Sequence, residues 1–168
     1  MTEPQPHLTP TKVSTLLVAA ALALLAGWLL VSQFYGETLP RLTLYPSFTL
    51  ILLAAAEGIT ARSTRSRIER KRGTEPVEPL MVARLAALAK ASSLAGALLA
   101  GGYAGILGWA YFQRDWLAAA ADAVPTAAVG TVASVLLVGA GLWLENACRI
   151  PKGPDDDAEA DAPPRPAR

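Results

Sequence analysis

Four apolar runs separated by polar links set the pattern of this chain. Residues 13–35 read VSTLLVAAALALLAGWLLVSQFY, without a charge. Residues 44–61 form a second run that carries one acid, Glu57. The third, residues 84–108, holds Arg84 and Lys90 near its start and then turns to small residues. The fourth, residues 124–147, carries Glu145 near its end. A bilayer core about 30 Å thick takes roughly 20 helical residues, so each run predicts a membrane-spanning helix. The predicted fold class is therefore all-α: a polytopic four-transmembrane-helix bundle over residues 13–147. Pro79 suits the first turn of the third helix, where its missing N–H costs nothing. A cleaved signal peptide ending near Ala21 and Ala23 is the alternative for the first run. That run is longer than the roughly 7–15 residues of a typical signal core, and Lys12 alone makes a thin basic flank.

The links and tails orient the bundle. Residues 1–12 and 148–168 are polar and proline-rich and predict disordered tails. Between the second and third runs, residues 62–79 form a basic loop with Arg62, Arg65, Arg67, Arg70, Lys71 and Arg72. The other two links hold one basic residue each, Arg41 and Arg114. By the positive-inside rule the basic loop lies in the cytoplasm, which places both termini there too. The expected location is the cell (inner, cytoplasmic) membrane, crossed several times. Trp28, Phe34 and Tyr35, and later Trp109, Tyr111 and Trp116, fit an aromatic belt on the opposite side.

Composition narrows the chemistry. The formal charge of +1 conceals a segregation of basic residues into the loop and acids into residues 155–161. The acidic run DDDAEAD either lies against the basic loop or is simply solvated. One cysteine, Cys148, and one histidine, His7, leave no basis for a disulfide, zinc, haem or iron–sulfur site. No phosphate-binding glycine loop, HExxH or CxxC occurs, and no histidine lies near Ser92 and Ser93 to activate them. The expectation is a non-enzyme without cofactors. The basic loop serves topology first and contact with anionic lipid headgroups or an acidic protein partner second. Nucleic-acid binding is not expected, since no aromatic interleaving accompanies the charges.

Charges inside membrane helices are costly and call for a partner or a purpose. At 1.5 Å per residue, Glu57 lies about 7 Å below Arg62, Lys90 about 9 Å below Arg84 and Glu145 about 6 Å below Arg149. Three helices thus bring a charge to one level near the cytoplasmic side. Lys90 projects on the same face as Ala97, Gly101 and Gly108, with Ser93 beside it, so the predicted buried polar cluster is Glu57, Lys90, Ser93 and Glu145. It reads either as a structural ion knot, as a proton relay or anionic-substrate site, or as a headgroup contact. Ala97, Gly101, Gly105 and Gly108 form a small-residue stripe that packs a neighbouring helix or seams a homodimer.

Val77-Glu78-Pro79-Leu80, the block from Ala83 to Ala91, and Leu142-Trp143-Leu144-Glu145 followed by Cys148-Arg149-Ile150-Pro151 carry a resemblance. They resemble a family of small actinobacterial membrane proteins grouped as a domain of unknown function. The resemblance covers roughly residues 11–151 and implies four inner-membrane helices and unassigned activity. It also implies genes often placed beside those of folate biosynthesis, notably the pterin pyrophosphokinase. The expected function is a non-enzymatic scaffold or modulator of a partner. The alternative is a small transporter or transporter subunit, acting as a homodimer, with Glu57, Lys90 and Glu145 as its polar site.

Overall fold

The computed structural model describes residues 12–34, 43–68 and 79–148. The tails, apart from Lys12 and Cys148, lie outside the described residues, as do Arg70, Lys71 and Arg72. The architecture is all-α: α1 Val13–Phe34, α2 Tyr45–Ile68, α3 Pro79–Gln113 and α4 Ala118–Ala147. Two of the boundaries differ from those expected. α2 continues through residues 62–68, part of the section expected as a loop. The Thr60, Ser63 and Ser66 hydroxyls donate to the Ala56, Thr60 and Ser63 carbonyls at 2.8, 3.0 and 2.8 Å, so this polar turn stays wound. α4 begins at Ala118, well before residue 124, because the alanine run ahead of Pro125 is strongly helix-forming. Pro125 then falls inside the helix, where it withholds a donor from the Ala121 carbonyl.

The early start of α4 leaves α3 and α4 joined by a tight turn. The Trp116 and Leu117 amides donate to the Gln113 carbonyl at 3.1 and 3.0 Å. Within this turn Arg114 stacks over Tyr111 at 4.0 Å and lies 3.7 Å from Asp115. Both charged groups are well exposed, so the ion pair contributes little. The two helices form an antiparallel hairpin, with Tyr103 against Gly130 at one end and Ser93 against Gly141 at the other.

α1 packs on α3 and α2 packs on α4, while α1 and α2 make no extensive contact among the described residues. The order across the molecule is therefore α1, α3, α4, α2. α1 runs parallel to α3, with Ala20 at Gly101, Leu24 at Gly105 and Trp28 at Gly108. α2 runs parallel to α4, with Gly58 against Trp143 and Ala61 in one apolar cluster with Leu144 and Ala147. A second cluster closes the other end, where Val31 of α1 meets Trp109 and Ala110 of α3 and Ala120 and Ala123 of α4.

The interior is built from small side chains, and among the described residues nine of the fifteen buried apolar ones are alanine. Leucine, valine, isoleucine and phenylalanine face outward, among them Leu17, Leu22, Leu52, Phe48, Ile59 and Leu136. This is the reverse of a water-soluble protein and suits a hydrocarbon surround. α1, α3 and α4 are long and apolar enough to cross a membrane. α2, expected as a fourth span, falls short of that standard because Glu57, Arg62 and Arg65 dilute its apolar section.

A methyl group on Gly105 would run into the Leu24 carbonyl and lie 2.8 Å from the Trp28 amide nitrogen, both backbone atoms. At exposed Gly139 it would meet nothing within 4 Å. Gly105→Ala is expected to destabilise the fold by about 1–3 kcal/mol through overpacking. Gly139→Ala should be neutral or stabilising by up to about 1 kcal/mol through helix propensity. Thermal unfolding of both variants in matched micelles measures the contrast.

Candidate functional site

The packing face of α2 is the site's frame. Ser47, Leu50, Ala54, Glu57, Ala61 and Thr64 recur at the three- and four-residue spacing of one helical face, and all are buried or half-buried. Phe48, Ile51, Leu52 and Ile59 occupy the outer face and are exposed. Three of the six inward positions, Ser47, Glu57 and Thr64, are thus polar, while the outward side is apolar. The helix turns its polar side toward the bundle and its apolar side outward.

Glu57 is 3% exposed, and neither of its carboxyl oxygens has a hydrogen-bond partner. Ser47, 1% exposed, likewise leaves its hydroxyl oxygen unpartnered. The levels of the other groups follow from the helix registers. Gly58 faces Trp143 across the α2–α4 contact, and a Cβ on Gly141 would lie 2.9 Å from the Ala89 carbonyl oxygen and 3.1 Å from the Ser93 amide nitrogen across the α3–α4 contact. Glu57, Ser93 and Glu145 therefore lie within about a turn of one level. Ser93 is fully buried, and its hydroxyl donates to the Lys90 carbonyl at 3.0 Å. Glu145 is half-buried and engaged with another group, although its Oε2 is buried without a hydrogen bond.

Lys90 does not join this interior. It is exposed, contrary to the buried position expected for it, and it has a partner. Its helical face does coincide with that of Ala97 and Gly101, the face that α1 covers. Extending the Ala20–Gly101 register back brings Val13, where α1 starts, opposite Leu94. Lys90 lies a turn below, where α1 no longer covers α3. Of the small-residue stripe, Ala97, Gly101 and Gly105 are buried and Gly108 is half-buried against Trp28, so the stripe faces α1 of the same chain.

The basic residues gather at one end. Arg62 and Arg65 are exposed on the extension of α2, Arg67 lies in its last turn, and Arg84 is exposed near the start of α3. Exposed Phe34, Tyr45, Phe112 and Trp116 mark the other end. Sequence reasoning missed Ser47 and Thr64. Their signal was available in the three-four spacing through Glu57, but each hydroxyl residue alone is unremarkable in a helix.

Among the described residues no group of three or more histidine, cysteine or acidic side chains could hold a metal. Cys148 caps α4, its amide donating to the Leu144 carbonyl at 3.1 Å. Burial pushes its thiol up, so it is a poor nucleophile at neutral pH. It was expected within the disordered tail, but it packs with Ala61, Ala89 and Leu144. The hydroxyls of Ser93 and Ser134 donate to the carbonyls of Lys90 and Gly130 rather than to a base. What remains chemically distinctive is one buried, unpaired carboxyl between helices.

A family model described as a protein of unknown function (DUF3180) matches residues 16–152. That span takes in α2, α3, α4 and nearly all of α1. No curated protein and no solved structure matches.

A buried polar group left unsatisfied costs about 1–3 kcal/mol. Glu57→Leu is therefore expected to stabilise the fold by a similar amount, read as a rise in apparent Tm in micelles. A fall of that size would show that Glu57 anchors a structural knot instead.

Proposed function

The chain belongs to the DUF3180 family, and we propose that it is a cytoplasmic-membrane protein with four crossings that scaffolds or modulates a partner without chemistry of its own. The observation that carries this reading is the basic end of the bundle. α2 leaves its apolar section as an unbroken helix bearing exposed Arg62 and Arg65, and α3 starts with exposed Arg84. A helical stalk fixes the spacing of its charges, as a free loop does not. Anionic headgroups attract such groups by about 1 kcal/mol per residue near the surface, and an acidic protein surface would meet the same array.

α2 as the fourth crossing is supported by its surroundings. Its outer face, with Phe48, Leu52 and Ile59, is apolar, and it lies parallel to α4, with Gly58 against Trp143 and Ala61 in one cluster with Leu144 and Ala147. The positive-inside rule then puts the basic end, both termini and the link between α2 and α3 in the cytoplasm. A second reading, a small transporter or transporter subunit working as a homodimer, is favoured by one observation, the unpaired carboxyl of Glu57. Lys90, on the open face of α3, would have to serve that site from outside the interior.

Co-purification from native membranes in lipid nanodiscs tests the scaffold reading. Wild type is compared with a variant neutralised at Arg62, Arg65, Arg67, Arg70, Lys71 and Arg72, after equal insertion and topology are confirmed. A near-stoichiometric protein held by the wild type and lost from the variant is the expected outcome. Wild type recovered alone or self-paired would sink it.

A further inference from the structure

We propose that Glu57 is the ligand of a small monovalent cation, a proton or an alkali metal ion, taken up between α2 and α4. The inference does not depend on the scaffold reading. It begins from burial: the side chain is 3% exposed and both oxygens lack a hydrogen-bond partner. An ionised carboxylate withdrawn from water without a partner is too costly to persist, so the group takes up a proton or holds a cation.

One acceptor lies on α3 within about a turn of the same level. Ser93, fully buried at the level of Glu57, has spent its hydroxyl proton on the Lys90 carbonyl at 3.0 Å and presents only lone pairs. Lone pairs leave a bare carboxylate unsatisfied, but they suit a bound cation or the proton of a neutral carboxyl. The charged groups nearest in level on the packed helices are Glu145 of α4 and Lys90 of α3, both engaged with other groups. Arg62 lies about 7 Å further along α2 and points outward. The packing face also continues polar in both directions, with Ser47 about 15 Å and Thr64 about 10 Å away along the helix. Ser47 has an unpartnered hydroxyl of its own.

A hydrophobic carbodiimide tests this directly. N,N′-dicyclohexylcarbodiimide adds to a protonated carboxyl in an apolar setting, and the adduct rearranges to a stable N-acylurea located by peptide mass spectrometry. The full chain is reconstituted in liposomes in choline buffer and labelled between about pH 5 and pH 9. Because the reagent takes only the protonated carboxyl, modification of Glu57 should decline as pH rises. Suppression by sodium, lithium or potassium chloride at fixed pH, but not by choline chloride, assigns the alkali-ion source. Insensitivity to those salts assigns the proton. Peptide mapping separates Glu57 from Glu145, and Glu57→Gln, if folded, should lose the label. Absence of label at Glu57 throughout, or label indifferent to both pH and salts, overturns the proposal. The wild-type result decides even if the variant does not fold.

Discussion

Helices surrounded by hydrocarbon gain almost nothing by hiding apolar side chains from their solvent, so they hold together by close backbone approach. The packing of this structure has that character. α3 shows it on two sides. Toward α1, a Cβ at Gly101 or Gly105 would strike the Ala20 or Leu24 carbonyl, so the two backbones are in contact. Toward α4, a Cβ at Gly96 would lie 2.9 Å from a Val138 methyl, and Gly141 answers from the other helix, where a Cβ would lie 2.9 Å from the Ala89 carbonyl. Alanine fills most of what remains buried. The cost of glycine in a helix, about 1 kcal/mol each, is offset by dispersion contacts that larger residues would prevent.

α2 obeys the constraint less well. On its packing face Ser47 and Ala61 are small, but Glu57 and Thr64 are not, and its one extensive partner is α4. Its contact at Gly58 is looser than those of α3, since a Cβ there would lie 3.8 Å from the Trp143 ring. Polar groups substitute for close approach only when they find partners. Glu57 and Ser47 have none, so this interface gains little from them. α2 is the least securely held helix of the four.

Most of the secondary structure was legible because apolar runs of spanning length admit few alternatives. Glu57 and Glu145 could be placed at one level by rise per residue alone, and Gly101 and Gly105 on one face by angle alone. What escaped depended on partners. The angle of Lys90 was right for the stripe, but its exposure follows from where α1 begins relative to α3, a register between chain-distant segments. Residues 118–123 looked like a link, yet the alanines ahead of Pro125 wind the helix earlier. Neither could hydropathy reveal that α2 would skip α1, its neighbour in the chain, for α4.

The position of Glu57 gains meaning from that skip. On α1 or α3, a buried carboxyl would sit in a contact clamped by backbone against backbone, where a change in its charge could shift little without breaking the fold. On α2 it sits in the interface with the loosest glycine contact and one extensive neighbour. Ala61, Leu144 and Ala147 lie a turn further toward the basic end and close that side with small side chains. Neutralising or charging Glu57 therefore acts on the helix with the least to hold it still. The same helix presents exposed Arg62 and Arg65 next to buried Ala61 and Thr64. A buried carboxyl and an exposed basic array thus share one continuous helix.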